Sequence, residues 1–186
     1  MFMMQAGNIL VAPPQQRTEP WRNSVIALCS NDVAGCWGVI TNRRVESPKW
    51  HEVAKQFKLD WPKEHSVKLW YGGPVQHNGI ICLHSPDYMI PNLTVRINEG
   101  LCMSESIQVV TDIRDGKGPK TYKMLIGHCG WTASQLQLEM ERPIGMAWLQ
   151  CDFNSDLIFS THQKASWNMG IRLAGQKNTD EAFAIV

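Results

Sequence analysis

Gly127-His128-Cys129-Gly130-Trp131-Thr132-Ala133-Ser134-Gln135-Leu136 decides the reading of this chain, because it follows the apolar run Thr121 to Ile126 and precedes a helical pattern. Two glycines and a tryptophan between strand and helix predict a sharp turn, in which glycine supplies backbone angles that other residues resist. Thr132 is placed to cap the helix, Gln135 to reach back in a capping box, and Pro143 to stop it. Backbone donors at a helix start attract anions, so residues 127 to 135 form a candidate phosphate or carboxylate site. The competing reading is structural: the glycines let strand and helix pack while Trp131 fills the junction.

Working outward, Val25-Ile26-Ala27-Leu28-Cys29 and Trp37-Gly38-Val39-Ile40-Thr41 flank the turn-rich Asn31-Asp32-Val33-Ala34-Gly35 and predict a hairpin of two buried strands. Ser47-Pro48 reads as a cap followed by proline in the first helical turn, opening an amphipathic helix with Trp50, Val53, Ala54 and Phe57 inward. Strands at 67–71 and 80–84 lie on either side of a Gly72-Gly73-Pro74-Val75 bend, and another runs from Leu93 to Ile97. Ser104 to Arg114 suits a helix through Ile107, Val110 and Ile113, or a strand through Val109-Val110-Thr111. A short strand at 148–151 and a final helix begun by Thr161, with Trp167, Ile171 and Ala174 on one face, complete the pattern.

A chain of 186 residues and 21.1 kDa is long enough to bury about two thirds of its unfolded surface in one core. No run approaches the roughly 18 apolar residues of a membrane span, which makes a soluble protein the expectation. The net charge of +1 comes from scattered rather than massed Lys and Arg, so no field favours nucleic acid. The N-terminal residues lack the basic flank and apolar stretch of a signal peptide, which makes the cytoplasm the expectation. Six cysteines, at 29, 36, 82, 102, 129 and 151, include no Cys-x-x-Cys pair or zinc spacing. They read as small hydrophobes, and neither metal nor cofactor is expected. One domain is expected over 1–175, with 176–186 as a tail whose Phe183-Ala184-Ile185-Val186 docks on the domain or on a partner.

The blocks Gly7-Asn8-Ile9-Leu10-Val11-Ala12, Gly72-Gly73-Pro74-Val75 and 127–135 occur in this order, and through them the chain resembles the YqgE/AlgH family over residues 6 to 175. The resemblance implies an α+β fold: a mixed, mainly antiparallel, partly closed or bifurcated β-sheet surrounded by helices. It also favours the helix at 104–114. The chain departs from the family pattern at Asn31, Arg44, Gly79 and Ser134, where histidine, proline, arginine and glycine are usual. Chemically active types are thereby lost while the scaffold blocks stay.

The candidate cleft comprises Asn42, Arg43, Gly72, Gly73, Pro74, His84, Gly127, Gly130, Trp131 and Gln135. His84 enters as an imidazole near neutral pH, and Asn42 and Arg43 as donors for an anion. Cys129 lies in a Gly-x-Cys-x sequence resembling a nucleophile elbow, but Trp131 stands where the closing glycine belongs. Among eight tryptophans, Trp21 and Trp61 lie in turn-like contexts and are candidate anchors for a protein partner or lids over the core edge. The function these features favour is non-catalytic: a binding or regulatory module acting through a protein partner, with a small anionic ligand in the cleft. The alternatives are an enzyme acting on a small phosphorylated or carboxylated metabolite, with His84 or His128 transferring protons, and the DNA-binding regulator of the family's label. No oligomeric state follows from the pattern.

Overall fold

The computed structural model describes residues 4–143, 145–160 and 162–184, and for 76–78, 133 and 177–184 the backbone alone. In chain order the elements are β1 (Ile9–Val11), β2 (Val25–Asp32), β3 (Gly35–Ile40), α1 (Trp50–Gln56), β4 (Leu69–Tyr71), β5 (Val75–His84), β6 (Thr94–Asn98) and β7 (Leu101–Ser104). There follow α2 (Ile107–Arg114), β8 (Tyr122–Trp131), α3 (Ala133–Met140), β9 (Leu149–Cys151), α4 (Ser155–Phe159) and α5 (Gln163–Ala184). The strands join in one sheet in the order β6-β7-β5-β8-β3-β2-β1-β9, with β4 pairing β8 off that path. All pairings are antiparallel except β4 with β8. This is the mixed α+β architecture expected.

The sheet divides at β8. Residues Met124 to Ile126 pair with β4, and Cys129 to Trp131 pair with β3, while β5 holds the opposite edge. One edge of β8 is thus handed from β4 to β3 at Gly127, which bifurcates the sheet there.

Both faces are covered, which explains why β1 and β2 read as continuous apolar runs rather than as alternation. Alternate residues serve different cores. Ile9, Val11, Val25, Ala27 and Cys29 pack with Leu157, Ile158 and Ala174 of α4 and α5. Leu10, Ala12, Ile26 and Leu28 pack on the other face with Leu136 of α3 and with Trp131 and Trp148. Farther along that sheet, Ile80, Cys82 and Met124 meet Trp50, Val53 and Ala54 of α1 and Val109 and Val110 of α2. Burial of each large aliphatic side chain contributes about 1.5–3 kcal/mol.

Four local expectations need correction. The glycine turn at 127–131 is not a chain reversal: β8 continues through Gly127, at positive φ, and Gly130 to Trp131. Of the capping box, half is present, since Gln135 N–H donates to Thr132 Oγ1 while the Gln135 side chain reaches forward to Glu139. Ser47-Pro48 lies ahead of α1, whose cap is Lys49; its N–H is taken by Glu52 Oε2 at 2.7 Å. The helix in 104–114 begins later, at Ile107 behind the Ser106 cap, because Leu101–Ser104 forms β7. Elsewhere, α5 carries helical backbone to Ala184 with no break at residue 175. Thr161 and the side chains of Phe183, Ala184, Ile185 and Val186 lie outside the described residues.

Candidate functional site

The two glycine blocks meet each other. After β4 the chain leaves one edge of β8 and, within Gly72-Gly73-Pro74, passes over it to begin β5 on the opposite edge, where Val75 pairs with His128. Gly72 N–H donates to Ile126 O at 2.7 Å and its own carbonyl accepts from Ile40 N–H at 2.8 Å. A Cβ on Gly72 would stand 2.0 Å from Gly127 O, and one on Gly73 2.3 Å from the carbonyl carbon and oxygen of His128. Gly127 adopts φ +74° beneath this crossing. The close approach that suggested a ligand is therefore the chain's own backbone lying on itself, which is a recognised use of glycine inside a strand.

Of the remaining predicted site residues, Pro74 lies in this crossing and Arg43 beside it, its carbonyl accepting from Tyr71 N–H at 2.8 Å, whereas His84 and Trp131 lie apart. His84 pairs with Tyr122 near the start of β8, whereas Trp131 closes that strand, on the order of 30 Å farther along. His84 is fully buried, with Nδ1 2.9 Å from Ser85 O and Nε2 3.0 Å from Ser104 Oγ. Burial pulls its pKa down, against the opposing effects of the Ser85 carbonyl and Asp87. Asn42 is a buried pin, its Oδ1 accepting from Val25 N–H and its amide donating to the carbonyls of Asn23 and Gln163. Arg43 is paired with Glu19. Pro74 is exposed beside the crossing, and Gly130 has open space where a Cβ would be.

Trp131 and Gln135 belong to a different arrangement. The Trp131 and Trp148 indoles donate to the same Glu139 Oε2, at 3.1 and 2.8 Å, while the Gln135 amide donates to Oε1 at 3.0 Å. Trp21 packs on both indole rings, with centroids 6.2 and 6.0 Å away, and is half-buried. Trp61 is buried, T-shaped against Trp50 at 5.0 Å, with its indole N–H on His65 O. Both tryptophans pack on the chain itself, Trp61 buried and Trp21 still partly exposed. Glu139→Leu removes a charged acceptor shared by two buried indoles, and should cost about 2–4 kcal/mol in urea unfolding followed by tryptophan fluorescence. Glu139→Gln, which keeps a carbonyl acceptor, should recover part of that loss.

The thiols have no exposed member, since all six cysteines are buried. Cys129 donates to Gly72 O at 3.4 Å, and burial drives its pKa well above the usual thiol range. Such a group is a poor nucleophile. Among the described residues, no cluster of three or more His, Cys, Asp and Glu side chains is placed to hold a metal ion.

Lys123 was not anticipated from the sequence. It is buried in β8 without an ion-pair partner among the described residues, its Nζ donating to Thr41 O at 2.6 Å and Ser160 O at 2.7 Å, 3.9 Å from the Trp70 ring centre. Burial lowers its pKa to about 7.

Open volume is found elsewhere, in a cavity of about 340 Å³ between the end of α1, β5, β8 and the start of α2. Phe57, Ile80, Ile81, Ile107 and Val110 supply apolar wall, and Glu105, Ser106 and His128 supply polar groups. Ser106 Oγ is engaged by Gln108 N–H. His128, half-buried and edge-on to Trp37 at 5.6 Å, has no hydrogen-bond partner for its ring nitrogens among the described residues, and Glu105 has no ion pair there. Gly79 lines the same space, and nothing lies within 4 Å of where its Cβ would be. In the sequence His128 stands only as an alternative proton-transfer group, and the other walls come from segments that no local motif connects.

Comparison with known proteins agrees with this architecture. A family model described as AlgH-like matches residues 9–179. A UPF0301 protein of Bradyrhizobium diazoefficiens is 32% identical over 177 residues, covering 91% of this chain and 81% of that protein. Another, from Rhodopseudomonas palustris strain BisB18, is 32% identical over 178 residues, covering 91% and 82%. The solution structure of the AlgH protein from Pseudomonas aeruginosa matches with a TM-score of 0.74 and 27% identity over 93% of each chain. A crystal structure from Corynebacterium diphtheriae shares the fold, with a TM-score of 0.67 at 18% identity over 89% of this chain and 85% of that one.

Proposed function

The chain belongs to the AlgH-like family, and from that premise we propose that it is a non-catalytic binding module that takes a side chain of a protein partner into the cavity between α1 and α2. The cavity carries this reading. It has mainly apolar walls with a few polar groups, the usual make-up of a recognition pocket, and Ile107, 46% exposed beside it, gains burial when a partner covers the rim. The cytoplasm is its proposed location; no helix among the described residues is long and apolar enough to cross a membrane.

Two further readings have less support. An enzyme acting on an anionic metabolite needs a cation facing the ligand, yet among the described residues the cavity is lined by Glu105 and by no Lys or Arg, while Arg43 is occupied by Glu19. A DNA-binding regulator needs a basic surface, for which a net charge of +1 offers little.

Gly79→Leu tests the proposal, because the position has room for a side chain and no left-handed backbone angle that would strain it. The substituted side chain should fill the cavity while the melting temperature stays within about 2 °C, as for a surface change. Partners that co-purify with the tagged wild-type chain from its own cells should be lost from the variant. Retention of the same partners by a folded Gly79→Leu chain would overturn the cavity as the docking site.

A further inference from the structure

We infer that the side chain received by this cavity is basic: a lysine or arginine of the partner, its methylene stem along the apolar walls and its charged head at Glu105 and His128. The inference rests on the proposed docking site and adds the chemistry of what docks there. It starts from the polar groups at the cavity. Among the described residues, Glu105 is its only formally charged lining residue, and no ion pair neutralises that carboxylate. His128 offers a ring nitrogen with no partner there, so an imidazole and a carboxylate line the same space as acceptors for an N–H donor. The amides at the start of α2 favour an anion, but Ser106 Oγ takes the Gln108 N–H, and Glu105 immediately precedes that cap.

The walls fit the rest of such a side chain. Ile80, Ile81, Val110 and Phe57 line the cavity, and long basic side chains bury their stems on apolar surface while the head stays with polar partners. An aromatic ring in the lining favours a cation further. An acidic side chain would place like charge beside Glu105, and a purely aliphatic one would leave the half-buried His128 ring without a hydrogen-bond partner.

The test is an amide-shift titration of the isotopically labelled full chain with acetyl-Ala-Lys-Ala-amide, with the norleucine and glutamate versions of that peptide, and with n-hexylamine. The lysyl peptide should shift the amides of Ile107, Val110 and His128 and bind at least fivefold tighter than the norleucyl peptide. That preference should fall below twofold in Glu105→Gln, with the norleucyl affinity unchanged. If the norleucyl or glutamyl peptide binds as well as the lysyl one at the same amides, the basic specificity is wrong and the cavity still stands as a site. Binding of n-hexylamine without the lysyl peptide would assign the cavity to a free amine and overturn a partner side chain. If none of the four shifts these amides, the basic side chain and the docking cavity fall together.

Discussion

Gly72→Ala is expected to lose on the order of 4 kcal/mol, a large share of the roughly 5–15 kcal/mol that holds a domain folded. The added methyl would lie 2.0 Å from Gly127 O and 3.1 Å from its carbonyl carbon. Those are backbone atoms of the strand that holds β3, β4 and β5, so no side-chain rotation relieves the clash. Moving Gly72 away also gives up its hydrogen bonds to Ile126 O and from Ile40 N–H. Gly130→Ala, with open space around the new methyl and a strand backbone that accepts it, should stay within about 1 kcal/mol of wild type. Urea denaturation and soluble yield of the two variants decide the matter. If the glycines served ligand approach instead, both chains would fold alike and differ only in binding.

Lys123 gives the second large effect, and it shows as a dependence on pH. Its pKa falls from the ordinary 10.5 to about 7 because burial disfavours the ammonium, although the Trp70 ring and two carbonyls favour the charged form and limit the fall. Between those two values the unfolded chain binds more protons than the folded one, so stability rises as pH rises through this window and is lost as pH falls back towards 7. Relative to Lys123→Met, wild type should gain about 2 kcal/mol between pH 7 and pH 9. The comparison with the variant is essential. Burial raises the thiol pKa values of Cys29, Cys82 and Cys129, so near and above pH 9 their ionisation in the unfolded chain pulls stability down in both proteins. Parallel stability curves for the two chains would show that Lys123 stays charged in the fold.

Much of the scaffold was legible because its signals are local. The 25–41 hairpin announces itself by two apolar runs around a turn-rich spacer, whereas α2 reads equally as a strand through Val109-Val110-Thr111 and only the family resemblance decides for helix. β7 was missed because Leu101–Ser104 is short and abuts a helix start that absorbed Ser104. The 127–131 segment was misread for a physical reason: glycine marks a turn and a close backbone approach alike, and only the approaching chain tells them apart. Gly72 and Gly73 make that approach from an earlier block, and nothing in either block announces the contact. Lys123 was passed over because a lone lysine in an apolar run reads as solvated, and its acceptors, Thr41 and Ser160, come from distant segments. The cavity was illegible for the same reason, its walls being supplied by α1, β5, β8 and the start of α2.

The crossing at Gly72-Gly73 also constrains how the molecule is born. β8 is the common neighbour of β3, β4 and β5, yet all three are synthesised before it. On the ribosome, a chain that has emerged only to residue 121 holds three strands with no shared partner, and their apolar faces wait for one late segment. Contacts closed over such sequence separations form slowly and leave strand edges open meanwhile. The fold has no self-sufficient first half: it becomes one body when Tyr122–Trp131 arrives beneath the two glycines.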